Sequence, residues 1–109
     1  MGGKMQSIVH PINLLVETEY QRAERLYGGV FASGHEGYGV IAEEVLEAED
    51  EMQYVERNLV GLLRSLRGSD KKSVIDWADA VRDVAVNAAA ELIQVAAMCQ
   101  KMVKTMEDA

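Results

Sequence analysis

Six carboxylates, Glu43, Glu44, Glu47, Glu49, Asp50 and Glu51, fall within nine consecutive positions of the stretch GYGVIAEEVLEAEDEM, residues 37–52. Successive residues of an α-helix turn by about 100°, so spacing decides which acids share a face. With Glu44 as origin, Ile41, Ala48, Val55, Leu59, Leu62 and Leu66 occupy an apolar arc from about 0° to 60°. Glu44 falls at 0°, Glu51 at about −20° and Glu47 at about −60°. These three line the edge of the face that should be buried. Glu43, Glu49 and Asp50 point elsewhere, as solvated residues do.

Acids at i, i+3 and i+7 repel one another, and the repulsion grows near a core. A divalent cation reverses that cost. Hard ions such as Mg²⁺ take oxygen ligands, keep several waters and need only a few carboxylates. The ordinary alternative is a solvated acidic face neutralised by lysines. A second set lies downstream, where Asp83, Asn87, Glu91 and Gln94 share one stripe at spacings of four, four and three. Glu91 sits inside NAAAELIQVAAM, where an unpaired carboxylate is costly to bury. It requires a metal, an exposed groove or a cation such as Arg82, Lys101 or a basic residue of another subunit. His35, beside Glu36, either orients a carboxylate or contacts phosphate, or simply caps the helix start.

The elements that carry these residues are helical. Hydrophobic residues are 49% of the 109-residue chain and aromatics only 6%. The apolar content is mostly Ala, Val, Leu, Ile and Met, which favours packed helices over a sheet. The fold class is therefore all-α and the length fits one domain. Apolar periodicity predicts helices over about 8–27, 38–66 and 73–106, with the first starting near Pro11 and residues 1–7 flexible. The glycine-bearing stretch GGVFASGHEG, 28–37, separates the first two. Gly68 caps the second, and Ser69 or Asp70 caps the third. The third has no Gly or Pro, so it is one helix or two joined by a small kink near Asn87. It is apolar along two seams, Ala85, Ala89, Leu92, Ala96, Cys99, Val103 and Ala88, Val95, Met98, Met102, as in a helix held between neighbours. Three helices do not easily enclose it, so the bundle is expected to be completed by a homodimer or homotetramer.

Charge and cysteine content exclude other classes. Eleven basic against eighteen acidic residues give a net charge of −7, which disfavours a nucleic-acid partner because backbone binding rests on phosphate neutralisation. No run approaches about 18 uncharged apolar residues, so no membrane span is expected. The single Cys99 makes no internal disulfide and reads as a buried reduced thiol, which points to the cytoplasm. A carboxylate-bridged di-iron bundle is disfavoured, because that chemistry calls for an E-x-x-H pair on each of two helices and the sequence has none.

EEVLEAEDEM, preceded by the HEGY turn and followed by AAELIQVAAMCQKM, resembles the MazG-like nucleoside triphosphate pyrophosphohydrolases, in particular short phage-type and bacterial members. The resemblance covers roughly residues 30–104. It implies an all-α fold, often dimeric or tetrameric, in which an E-x-x-E and a later E-x-x-D hold Mg²⁺, with Mn²⁺ as a substitute, against a nucleoside triphosphate. Carried onto this chain, the metal ligands are Glu44, Glu47, Glu91 and, in the fourth place, Gln94. A neutral amide there removes one charged ligand, which weakens Mg²⁺ binding or leaves the task to Glu51 or Asp83. Glu47 or Glu51 would accept the proton of the attacking water, and Lys101, on the Gln94 stripe, would meet the outer phosphates, with Arg82 and His35 as further contacts. Phe31, Tyr38 or Trp77 could stack on a base. The implied reaction releases pyrophosphate and a nucleoside monophosphate, in a house-cleaning role. The other reading is a non-catalytic scaffold or interaction module of the same fold with a degraded metal site.

Overall fold

The computed structural model describes the backbone of residues 2–68 and 70–109, with side chains from Ser7 onward. The chain is all-α. Helix α1 spans Gly2–Tyr27, α2 Gly34–Arg67 and α3 Lys71–Glu107, with no strand among the described residues. Helix α1 begins well before Pro11, which it carries within it. Helix α2 also begins earlier than its apolar period indicates, because SGHE forms its cap. Ser33 Oγ accepts from the Glu36 amide at 3.1 Å, and Ser33 O takes the first helical bond, from Gly37 N at 3.1 Å. A serine followed three residues later by a glutamate is the capping-box spacing. The HEG turn is thus the first turn of α2. Helix α3 is continuous, with no break at Asn87.

The helix ends follow backbone chemistry. Gly28 closes α1 with φ +89°, its amide donating to Glu24 O at 2.9 Å, a conformation that penalises any side chain with a Cβ. Gly68 N donates to Arg64 O at 3.0 Å and ends α2. Asp70 O accepts from Val74 N at 3.0 Å and opens α3. Ser69, the other residue expected to cap α3, lies outside the described residues.

The chain divides into two compact units, Met1–Val45 with Leu92–Ala109, and Leu46–Glu91. In the first unit, Ala23, Phe31, Ala97 and Met98 form the buried centre, with Val16, Tyr20, Val40, Ile41 and Met102 packed on it. Phe31 pins the interhelical loop, as its amide donates to Thr105 Oγ1 at 2.9 Å. Gly37 lets α2 approach this centre, since a Cβ there would stand 2.7 Å from the Phe31 ring and 2.8 Å from Met102 Sδ. Helix α1 is tied to α3 by Gln100 Nε2 donating to Glu17 at 2.7 Å and Gln94 Nε2 donating to Glu19 at 2.6 Å.

The second unit is an antiparallel hairpin of the C-terminal part of α2 and the N-terminal part of α3. Small residues set its spacing. Ala48 and Ala88 are buried, a Cβ on Gly61 would stand 2.7 Å from the Trp77 ring, and the Ser65 and Ser73 hydroxyls meet at 2.6 Å. Met52, Leu59, Leu63 and Leu66 remain about half exposed. Leu59 and Leu66, expected in the buried arc, are therefore uncovered. The hairpin partner takes up the side of α2 bearing Gly61 and Ser65, and these four residues form a stripe beside it. On α3, Ala78, Ala85 and Ala89 are likewise exposed. Both stripes lie roughly 100° from the hairpin contact in the same rotational sense, which in an antiparallel pair is the same side.

Candidate functional site

Two carboxylates from different helices are brought together in the second unit. Within the second unit, Glu47 of α2 and Glu91 of α3 present oxygens within 4.8 Å of each other. Glu44 precedes Glu47 by one turn in sequence and belongs to the first unit. Glu47 is exposed and Glu44 and Glu91 are half-buried. Glu51, also half-buried, lies one further turn along α2. Glu43, Glu49 and Asp50 are exposed, as their helical angles require.

The electrostatics of Glu91 follow from this company. Its pKa is pushed above the ordinary value of 4.5 by burial, then by the charge of Glu47 and a hydrogen bond with it, and by the charge of Glu51. Carboxylates this close resist ionising together. No ion pair among the described residues holds Glu47, Glu51 or Glu91. An all-oxygen donor set of this kind fits a hard divalent cation, which would supply the missing positive charge.

The other expected site residues separate. Arg82 pairs with its neighbour Asp83 at 3.3 Å, both largely exposed, and is occupied on the surface. His35 is exposed in the first turn of α2, and Ser33, not His35, caps that helix. Gln94 directs its amide nitrogen at Glu19, so only its oxygen remains to serve as a ligand. Trp77 packs over Gly61. Cys99, expected to be buried, is exposed.

Lys101 is where a binding group should be. It is only 6% exposed, although it is a lysine. Its ammonium lies 4.5 Å from the centre of the Phe31 ring, and it enters none of the ion pairs among the described residues. A cavity of about 380 Å³ in the first unit is lined by Lys101, Phe31, Arg22, Gln94, Glu36 and Glu44, among others.

Two residues at this end of the chain, Glu19 and Arg22, escape a reading of the sequence for chemistry. Arg22 is held by Glu19 through Nε at 3.0 and 3.1 Å and through a terminal nitrogen. The same Glu19 accepts from Gln94, and these bonds, Arg22 first, hold its carboxyl below the usual range against the opposing effect of burial. Glu19 and Arg22 look in sequence like an ordinary i, i+3 surface pair. Nothing local announces that Gln94 lies beside them. Glu36, expected in a turn ahead of α2, is instead the acid at the capping-box position of its first turn.

No described helix is long and apolar enough to cross a membrane. Comparison with known protein families, curated proteins and solved structures finds no match.

Proposed function

We propose that the chain is a Mg²⁺-dependent nucleoside triphosphate pyrophosphohydrolase of the MazG-like kind, acting in the cytoplasm. The observation that carries the reading is the approach of Glu47 and Glu91, from different helices, to within 4.8 Å with no cation of the described chain to offset them. Such an arrangement is costly to a fold unless something positive binds there. Glu47 and Glu91 would hold the ion, with Glu44 one turn along. Bound there, Mg²⁺ supplies positive charge against the charge that builds on the phosphoryl oxygens during transfer.

The chain's own residues do the rest. Glu51, one turn past Glu47, would take the proton from a water attacking the α-phosphorus, with Glu47 as the other candidate. The products are a nucleoside monophosphate and pyrophosphate. Mn²⁺ offers similar oxygen chemistry and should substitute. Self-association belongs to the same reading. The leucine and methionine stripe of α2 and the alanine stripe of α3 offer large side chains beside small ones, a self-complementary surface on which a second copy completes a four-helix arrangement.

A second reading, a non-catalytic scaffold, is favoured by one contact. Gln94 stands where the family pattern has an acid, and its amide is engaged by Glu19, which would leave a bound ion one charge short. Incubation with Mg²⁺ and a panel of canonical and modified nucleoside triphosphates, with pyrophosphate as readout, separates the two. Turnover supports the enzyme. Absence of turnover together with absence of Mg²⁺ binding by calorimetry overturns it.

A further inference from the structure

The far end of the hairpin carries cations that the acid site does not use. Arg57, Arg64, Arg67, Lys71 and Lys72 fall within residues 57–72, five of the eleven basic residues of the chain, against the single acid Asp70. This stretch is thus positive in a chain of net charge −7. Arg57 and Arg64 enter none of the ion pairs among the described residues. At i, i+7 they stand on one line of α2, about 10 Å apart along its axis. The Arg57 guanidinium lies 5.5 Å from the centre of the Tyr54 ring, a contact that favours one placement of an otherwise exposed side chain.

Between the two arginines the surface is notched. A cavity of about 290 Å³ is lined by Arg57, Val60, Gly61, Arg64, Ser65 and Trp77. The Trp77 ring backs the notch, 2.7 Å from where a Cβ on Gly61 would stand. A second cavity, walled also by Gln53 and Glu56, shares Arg57 and Val60 with the first. Together they make a groove over residues 53–65, about 18 Å long. Val60 and Trp77 remain 49% and 36% exposed, too open to enclose a small molecule as a ligand pocket does. An apolar notch between two cations at helical spacing matches a helix with a leucine between carboxylates at i and i+7. We infer that this groove docks an acidic amphipathic helix of another protein, its leucine over Gly61 and its carboxylates on Arg57 and Arg64. Tryptophan and arginine are the residue types that carry most binding energy at interfaces. The second copy is assigned to the leucine stripe, across the hairpin contact from this groove. Two arginines on an acidic chain are too few to hold a nucleic-acid backbone. The groove shares no residue with the acid site, so hydrolysis or its absence leaves the docking untouched.

Trp77 is the only tryptophan of the chain, so its fluorescence reports on the groove. The probe is a capped, alanine-based helical peptide with Glu, Leu and Glu at i, i+4 and i+7. It is titrated beside the same peptide with Lys for Glu, and beside a single-stranded oligonucleotide. The acidic peptide should shift Trp77 emission saturably below about 1 mM, and the lysine peptide should not. Arg57→Gln with Arg64→Gln should weaken the acidic peptide severalfold; both positions are exposed, so the fold should persist. Arg82→Gln, paired with Asp83 on the surface, should leave binding unchanged. The inference is overturned by the absence of a saturable shift, by an equal response to the lysine peptide, by full affinity in the double variant or by tighter binding of the oligonucleotide. A lower oligomeric mass in the double variant also overturns it, since the groove would then be a contact between copies of the chain.

Discussion

Glu47 and Glu91 stand 44 residues apart in the chain yet bring carboxylate oxygens within 4.8 Å of each other. Helix α3 therefore returns along α2 in a register that opposes acid to acid. That register is fixed by apolar and small residues elsewhere in the hairpin, by Trp77 on Gly61 and Ser73 on Ser65. The fold holds the repulsion in place at the expense of stability, which makes the pair measurable.

The pH dependence of folding should carry its signature. Glu91 binds its proton more tightly in the folded chain than at its ordinary value of 4.5. The folded state then holds more protons than the unfolded one between that value and the raised one. Stability linked to Glu91 is fully present below pH 4.5 and lost as pH rises through the raised value. In EDTA at neutral pH, Glu91→Gln should melt higher than the parent, and thermal melts across pH should show a flatter profile for the variant in this window. An unchanged profile would deny the coupling.

A divalent ion should invert that order. Mg²⁺ at about a hundred times its dissociation constant contributes about 2.7 kcal/mol, roughly 10 °C in melting temperature for a chain of this size. Glu47→Gln and Glu91→Gln should lose most of that gain, whereas Glu49→Gln, exposed on another side of α2, should keep it. Glu44→Gln should reduce turnover at least a hundredfold and Glu49→Gln should not. Equal effects from Glu44 and Glu49 would contradict the division of the acidic cluster.

How much of this was legible follows from which contacts are local. The all-α class and the three helices came from period and glycine breaks. The division of the acids came from angles along one helix, and Glu44 and Glu51 half-buried and Glu43, Glu49 and Asp50 exposed agree with it, whereas Glu47, placed at the outermost angle of the buried edge, is exposed. The start of α2 was misplaced because its first turn is specified by the Ser33 and Glu36 cap, not by apolar residues. Lys101 was legible by its stripe. Its cationic companion is Arg22 and not Arg82, because the surroundings of Lys101 are set by the packing of α1 on α3, and no local pattern encodes which turn of α1 meets Gln94. Leu59 and Leu66 were assigned to a core because periodicity reports that a face is apolar and says nothing of what covers it.

Gly37 tests the packing that shapes the cavity wall. Alanine at a helical glycine usually gains up to about 1 kcal/mol from backbone propensity. At Gly37 the added Cβ would stand 2.7 Å from the buried Phe31 ring and 2.8 Å from Met102 Sδ, and overpacking costs about 1–3 kcal/mol. Gly37→Ala should therefore destabilise the chain by about 1–2 kcal/mol in urea denaturation, whereas Gly39→Ala, with open space around it, should be neutral or stabilising. Stabilisation by both would mean that Phe31 is free to move.

The uncovered stripe of the hairpin gives the last prediction. Leu59 and Leu63 are 54% and 47% exposed at i, i+4 on α2, on the side shared with the alanines of α3. If a second copy covers them, each protomer inserts its leucines over the small residues of the other, and two charges placed there would be buried unpaired twice in a symmetric dimer. Leu59→Glu with Leu63→Glu should convert the assembly to a monomer at tens of micromolar protein, read by light scattering after size exclusion. The helical signal in circular dichroism should persist, since Ala48, Ala88 and the Gly61 and Trp77 contact lie on the other side. A parent chain that is itself monomeric at that concentration would refute the pairing, and so would a doubly charged variant that remains associated.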